Sequence, residues 1–430
     1  MAETSRSTFL NLSSFQIMVM FRRGLFYSYL SIYLRAFLGM SVTETTLFAT
    51  IPMIMNVLFA TFIWGRLSDK FQLRRTLIIV GEIIAAIITA AVWYAHILPS
   101  SKITAGYVLT FGLSVVEIFW SMSNIGWTAL LSDLYPAKQR TGLQGKLMSI
   151  GAFGRMAGIL IGGMLYDGFP HHYDGWGFHS GVLFFIAAGV MMISTIPMFF
   201  VPEGGIKKEP KKIEEKKVKG WALLRLSNYS ISRKYLFFLI GMVFIFFGFN
   251  SIVLLKSQYL ILEEGFNLSS RYLSYIFNTG TGAVFIAGLF IKKIADKYSD
   301  EKLLIAGNLI AITFLMGYAF SNYLPTLFVS EFLGGSAMAI IFSSSYTYAS
   351  RLIPPEKRGA QFSLYNAANF LSWGIPSTLI TGPLVDILIK SGCAQVFSYR
   401  MSFIAAAILM IIGSIILLYT YRIKNDIEYD

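Results

Sequence analysis

Long apolar segments alternate with short polar turns along almost the whole of this 430-residue chain. Segments of 18 or more predominantly apolar residues have the length that an α-helix needs to cross a bilayer. The pattern predicts twelve transmembrane helices, over residues 14–38, 43–65, 75–97, 104–132, 141–166, 178–201, 235–262, 271–293, 301–320, 324–351, 359–389 and 397–422. An all-α membrane protein follows from this pattern.

A polar linker divides the predicted helices into two groups of six. It is rich in Lys and Glu and has too few apolar residues to fold as a unit of its own. We therefore expect an N-terminal half at 1–201, a basic linker at 202–234 and a C-terminal half at 235–430. A short match relates the halves, since Leu-Tyr-Pro at 134–136 recurs as Leu-Ile-Pro at 352–354. Such a match indicates a duplicated six-helix unit.

Composition and charge place the chain in a membrane. Only 14% of its residues are charged, compared with about 25% in soluble domains. The net charge of +13 would suit nucleic acid, but most of the 36 Lys and Arg residues lie in the linker, the termini and the loops on one predicted side. The opposite side carries only Arg35, Lys102, Arg271, Lys390 and Arg400. The positive-inside rule predicts that both termini are cytoplasmic. We expect a plasma-membrane protein that binds no nucleic acid.

No sequence motif for an enzyme is present. The chain lacks the glycine-rich nucleotide-binding loops, the zinc-binding HExxH and the nucleophile elbow GxSxG. With Cys393 as the only cysteine, an intrachain disulfide is excluded. We therefore expect no enzymatic activity, no cofactor and no metal, and an ion gradient rather than ATP as the energy source.

One basic turn with a single carboxylate separates the second and third predicted helices. Its sequence at 65–77, GRLSDKFQLRRTL, resembles the G-x-L-a-D-r-x-G-r-k-x-x-l loop of the major facilitator superfamily. The matching residues are Gly65, Leu67, Asp69, Lys70, Arg74 and Leu77, and the departures are Gln72 for the second Gly and Leu73 for Arg. With twelve helices around a long basic middle loop, the whole chain resembles this family. The resemblance implies two pseudo-symmetric six-helix bundles that rock around a central site.

The resemblance also implies a cytoplasmic gate. In that family the Asp of this loop helps to hold the cytoplasmic ends of the two halves together when the transporter faces outward. The corresponding gate here consists of Gly65, Asp69 and Arg74, with Asp133 placed to share Arg74. The alternative is a solvated turn that only sets the topology.

Two charges inside the spans are predicted to pair. A charge at the bilayer centre costs about 2.5–3.5 kcal/mol or more unless it is paired or hydrated. Glu117 and Arg155 both lie about 21–22 Å from the predicted cytoplasmic face at 1.5 Å per residue. They are candidates for proton coupling, with Glu117 titrating and Arg155 as its partner, or for a static ion pair. Glu82 and Glu331 are further proton-site candidates.

The predicted substrate cavity combines basic and aromatic residues. Arg23, Lys256 and Arg155 would give it an excess of positive charge, and Asn366 and Trp373 lie on a polar segment of the eleventh helix. This set favours an anionic substrate group. Other aromatic residues favour lipophilic or cationic ligands, and they are Tyr27, Tyr29, Trp120, Trp127, Tyr346 and Tyr365.

Glycines recur at every fourth position of the fifth predicted helix, at Gly154, Gly158 and Gly162. This spacing resembles the glycine-rich motif of drug/proton antiporters, but Ile159 stands where that motif has Pro. The alternative is close contact between two helices without a bearing on direction.

These features predict a secondary active transporter. We expect it to be a proton-coupled monomer that moves a small organic solute across the lipid bilayer by alternating access. Efflux of amphipathic compounds is preferred, and uptake or exchange of a small organic anion is the alternative. A non-transporting receptor or sensor is the alternative of another class, which the lack of an appended signalling domain disfavours.

Overall fold

The computed structural model describes residues 6–135, 137–205, 231–354 and 358–423, most of which are helical. Within these ranges nine helices are long and apolar enough to cross a membrane. A helix satisfies its backbone hydrogen bonds internally, which is what the hydrocarbon core of a bilayer requires.

The helices before the linker form a first set. They are α1 (Arg6–Ile32), α2 (Val42–Phe59), α3 (Gly65–Phe71), α4 (Arg74–Ile97), α5 (Lys102–Leu134), α6 (Ala137–Tyr166), α7 (Trp176–His179) and α8 (Val182–Met198). The second set comprises α9 (Arg233–Asn250), α10 (Val253–Leu260), α11 (Ser270–Ala295), α12 (Asp300–Phe320), α13 (Leu324–Leu352), α14 (Arg358–Leu371), α15 (Gly382–Lys390) and α16 (Gln395–Arg422). Each predicted span coincides with one of these helices or with two or three consecutive pieces.

Several predicted spans are interrupted rather than continuous. The second span passes through a π-helical turn at Ala60–Trp64 before α3, and the seventh breaks between α9 and α10. The eleventh span consists of α14, a π-helical turn at Ser377–Thr381 and α15. Pro376 precedes that turn, and a proline has no N–H for the helical ladder.

Packing within the first set recurs in the second. In the first set α4 packs on α5 and α8, α2 packs on α5, and α1 packs on α8. The corresponding pairs in the second set are α12 with α13 and α16, α11 with α13, and α9 with α16. This repetition agrees with a duplicated unit. The domain boundaries stay predictions, because linker residues 206–230 lie outside the described chain.

Glycines on α6 bring its backbone against that of α1. A Cβ atom at Gly158 would lie 2.0 Å from the carbonyl oxygen of Phe21, and one at Gly154 would lie 2.2 Å from that of Ile17. A Cβ at Gly24 of α1 would meet the Arg155 carbonyl at 2.3 Å. The glycine spacing therefore serves close helix packing, and it sets the rotation of α6 about its axis.

The two sets are joined at one end of the bundle. We call the end that carries α3 and the start of α4 the basic end, and the opposite end, where α2 begins, the far end. Among the described residues, hydrogen bonds between the sets lie between the middle of the bundle and the far end. They join Ser31 to Ser257, Thr45 to Gln258, Val42 and Thr43 to Asp386, Thr46 and Thr50 to Thr378, Gly163 and Asp167 to Ser270, and Met156 to Asn278.

Candidate functional site

The turn between α3 and α4 has a left-handed residue at its centre. Gln72 has a φ of 56° and donates its backbone N–H to the carbonyl oxygen of Ser68, which caps α3. Glycine adopts this conformation without steric cost, which explains the Gly in the family loop that residues 65–77 resemble. Gln72 takes the same conformation, so the departure from the motif leaves the turn intact.

Arg74 is the centre of the predicted gate. Its Nε lies 3.1 Å from Asp133 Oδ2, and it also donates to the hydroxyl of Ser68 and, at 3.2 Å, to Gln72 Oε1. The backbone N–H of Gly205 donates to the same oxygen of Asp133 at 2.9 Å. The structure thus brings Arg74 and Asp133 together, and Gly205 joins them from the start of the linker.

The other predicted gate residues lie at the ends of the same helix. Gly65 begins α3 at its junction with the π-helical turn. Asp69 lies in α3, but its side chain falls outside the described residues. The role of the four residues as a gate stays a prediction.

Two arginines of α1 share one aromatic ring. The guanidinium carbons of Arg23 and Arg22 lie 4.3 Å and 4.9 Å from the centre of the Trp120 ring on α5. Cation–π attraction at this distance is strengthened where water is excluded. Arg22 is buried, whereas Arg23 is half-buried. Trp120 therefore holds both cations inside the first set.

Two carboxylates lie among these arginines. Glu117 of α5 is 4% exposed and accepts a hydrogen bond of 2.5 Å from Asn56 Nδ2 on α2. Glu82 of α4 is also buried and accepts a 2.9 Å hydrogen bond from the Ser123 hydroxyl. The charges of Arg22 and Arg23 act on both carboxylates. We call Arg22, Arg23, Glu82, Glu117 and Trp120 the first-set cluster, in which the formal charges balance.

Lys256 forms a buried ion pair in the second set. Its Nζ lies 2.5 Å from Glu331 Oε1 on α13, and the hydroxyl of Tyr318 donates to the same oxygen at 2.6 Å. The Lys256 ammonium also lies 5.3 Å from the ring centre of Phe277 and 5.7 Å from that of Phe314. The predicted cavity residue Lys256 is therefore neutralised by Glu331 in this structure.

Arg155 is not paired with Glu117. Its side chain is exposed, and it forms no hydrogen bond or ion pair with any residue that the structure describes. The carboxylate that attracts it is Glu331 of the second set. The neighbouring glycine, Gly154, faces α1, and consecutive helical residues point about 100° apart. Equal depth in the bundle therefore did not place Arg155 and Glu117 face to face.

The remaining predicted cavity residues lie on the eleventh predicted span. Asn366 of α14 has an exposed side chain, with no hydrogen bond to the described part of the chain. Trp373 follows α14 in the interrupted segment and is half-buried. The sequence indicated Glu331 as a charge inside a span, but it carried no signal for Asn56 or Tyr318, which are ordinary residues in helices.

A family model described as Major Facilitator Superfamily matches residues 12–377 and 262–427. The chain belongs to the major facilitator superfamily. A protein named multi-drug resistance efflux pump PmrA homolog, from Lactococcus lactis subsp. lactis (strain IL1403), is 23% identical over 393 residues, which cover 90% of this chain and 88% of that protein.

Solved structures show the same fold. A bacterial homologue of the human lysosomal transporter Spinster is 16% identical, with a TM-score of 0.73 and 98% of each chain covered. The nucleoside transporter NupG is 12% identical, with a TM-score of 0.72, and the match covers 97% of this chain and 100% of that one. The predicted major facilitator fold is confirmed.

Membership in the superfamily confirms the coarse function. The protein is an integral membrane protein and a secondary transporter of a small molecule, and the family is one of transporters rather than enzymes.

Proposed function

We propose that this major facilitator transporter is coupled to protons and moves a small amphipathic organic compound that carries an anionic group. The observation that carries the proposal is the exposed side chain of Arg155, which has no partner among the described residues. A cation in the interior of a membrane protein is costly without a counter-charge. A substrate anion supplies that charge when it occupies the centre of the bundle.

Glu117 is the proton-binding residue in this proposal. It is buried next to two arginines, so adding a proton converts a balanced cluster into one with an excess positive charge. Arg23, which is half-buried beside Trp120, then has one counter-charge fewer. It can therefore attract an anion in the central space. A carboxylate that changes its charge next to a cation is a physical basis for coupling.

We propose alternating access, and the difference between the contacts at the two ends supports it. The far end is joined by hydrogen bonds from α1, α2 and α6 to the second set. We propose that the basic end is cytoplasmic, by the positive-inside rule, and that this state is open towards it. The contact between Arg74 and Asp133, together with Gly65 and Asp69, would then organise the gate that closes in the opposite state.

Efflux of amphipathic compounds is the second candidate function. The Lactococcus relative is named an efflux pump. Tyr346 is also 56% exposed and stacks on Phe362 at 5.0 Å, which offers an aromatic surface to a lipophilic ligand. The cation excess favours an anion as the cargo, and export is the direction that the relative's name supports.

A thermal-stabilisation screen of the purified full-length protein tests the proposal. A ligand that binds the folded state raises the melting temperature by mass action. We expect lipophilic monocarboxylates to stabilise the protein and the Arg155→Gln variant to lose most of that effect. Stabilisation by lipophilic cations alone, with no response to any anion, would overturn the anion assignment and support the second candidate.

A further inference from the structure

An ion pair of the second set and an arginine of the first lie near the contact between the two sets of helices. Asn278 of α11 donates to the carbonyl oxygen of Met156 on α6 at 3.2 Å, directly beside Arg155. The preceding residue on α11, Phe277, lies against the ammonium group of Lys256. Helix α11 thus contacts both α6, which carries Arg155, and Lys256, and the charge of Glu331 acts on Arg155. We call Arg155, Lys256 and Glu331 the inter-set cluster.

The inter-set cluster has one positive charge too many. It contains two cations and one carboxylate, and the exposed side chain of Arg155 has no ion-pair partner among the described residues. Glu331 Oε1 already pairs with the Lys256 ammonium and accepts a hydrogen bond from the Tyr318 hydroxyl. Its other oxygen, Oε2, lies over α11, where a Cβ atom at Gly280 would come within 2.6 Å. One carboxylate cannot hold both cations fully, so a second anion completes the cluster.

We propose that an organic monoanion binds between Arg155 and Lys256, and that Glu331 is the internal competitor that this anion displaces from Lys256. The inference rests on the proposed function, whose anionic substrate it places between two named cations. Glu331 and the anion present the same chemical group to the same ammonium. Glu331 therefore neutralises Lys256 when the site is empty, and the bound anion bridges α6 and α10 when it is occupied.

The surroundings indicate the class of anion. The rings of Phe277, Phe314 and Tyr318 all lie within 6 Å of the Lys256 ammonium. An anion with an apolar body would complement these rings. A ligand with a single negative charge makes the cluster neutral, whereas a ligand with two negative charges would give it a net negative charge. The cargo is therefore a monocarboxylate or similar monoanion with an aromatic or otherwise apolar body.

Titration of benzoate and 1-naphthoate into the purified full-length protein, followed by calorimetry, tests this site. Benzamide is the neutral control and phthalate the dianion. We expect Arg155→Gln and Lys256→Gln each to weaken monoanion binding at least about tenfold. Glu331→Gln removes the competitor, so the Kd for the monoanion should fall about tenfold and phthalate should begin to bind.

A second variant displaces the carboxylate without changing any charge. Gly280→Ala places a methyl group against Glu331 Oε2, the end of a flexible side chain that can move. It should tighten monoanion binding in the same direction as Glu331→Gln. Weaker or unchanged binding in both variants would show that the ion pair is only structural, and would overturn the inference.

The binding results distinguish an error in the placement of this site from an error in the proposed function. If monocarboxylates bind the wild type and none of these variants changes the affinity, only the placement between Arg155 and Lys256 is wrong. If no monocarboxylate binds the wild type or Glu331→Gln, both the inter-set site and the anionic cargo are wrong.

Discussion

The first-set cluster and the inter-set cluster use similar residues in opposite arrangements. The first is enclosed within one set of helices, and its two arginines face two carboxylates around Trp120. The second crosses between the sets; Glu331 pairs with Lys256, and its charge also acts on Arg155. In a balanced, enclosed cluster, protonation of one carboxylate leaves one cation without a counter-charge, and this change can couple a proton to an anion. An unbalanced cluster at an interface suits an anion that both sets bind.

The difference lies in what neutralises each charge. In the first-set cluster every charged group has a group of opposite charge nearby within the same set of helices. Arg155 instead depends on a carboxylate of the other set. Relative motion of the two sets therefore changes the surroundings of Arg155 while it leaves those of Glu117 largely intact.

The largest effect is expected from removing the proton-binding carboxylate. Glu117→Gln should abolish proton-driven accumulation and leave exchange, because the residue keeps its shape but cannot titrate. Uptake into proteoliposomes with and without a pH gradient measures this. The matched variant Glu331→Gln should keep its response to the gradient. Unchanged uphill transport by Glu117→Gln would refute its assignment.

Stability should separate the two clusters next. Arg22 is 3% exposed, and Arg22→Met leaves two buried carboxylates with one cation. Removing one partner from buried charges costs about 3–5 kcal/mol. Arg155→Gln, at an exposed position, should change stability by less than about 0.5 kcal/mol. Denaturant or thermal unfolding in detergent measures the stability of both variants. Equal losses of stability would contradict the description of Arg22 as enclosed and of Arg155 as exposed.

A smaller loss is expected from the hydroxyl that supports Glu331. Tyr318→Phe removes a hydrogen bond to a buried carboxylate, which is worth about 1.5–3 kcal/mol. The matched control is Tyr346→Phe, since Tyr346 is exposed and its hydroxyl bonds to none of the described residues. Unfolding of the two variants under the same conditions makes the comparison. A similar stability for both would show that Tyr318 does not hold the carboxylate in place.

The smallest effect concerns a contact between the two sets at the far end. Asp167 accepts a 2.5 Å hydrogen bond from the Ser270 hydroxyl, and burial raises the pKa of the Asp167 carboxyl. A raised pKa in the folded state favours the protonated form. Stability is therefore greatest below the ordinary aspartate pKa and decreases as the pH rises through the folded-state value.

The Asp167→Asn variant tests this pH dependence. Because the wild-type side chain is partly exposed, the decrease with pH should amount to less than about 1 kcal/mol. Melting temperatures between about pH 3.5 and pH 7 should show the decrease in the wild type and a flatter profile in Asp167→Asn. A wild-type stability that rises relative to Asp167→Asn over this range would contradict the sign.

The sequence alone predicted the helical membrane architecture and the family. Length and apolarity of a segment are one-dimensional properties, and a bilayer selects on them directly. The basic turn at 65–77 likewise carries its signal in consecutive residues, and Arg74 and Asp133 meet as their positions at helix ends suggested. Charges such as Glu117, Arg155 and Lys256 stood out because a charge in a span is expensive.

Only the tertiary structure decided which charge faces which. Depth along a helix can be counted from the sequence, but rotation about its axis and the identity of its neighbours cannot. The close glycine contact of α6 with α1 turns Arg155 away from Glu117, and α11 brings it near Glu331. Asn56 and Tyr318 became partners of carboxylates for the same reason. Pairing depends on packing between helices, which no single segment specifies.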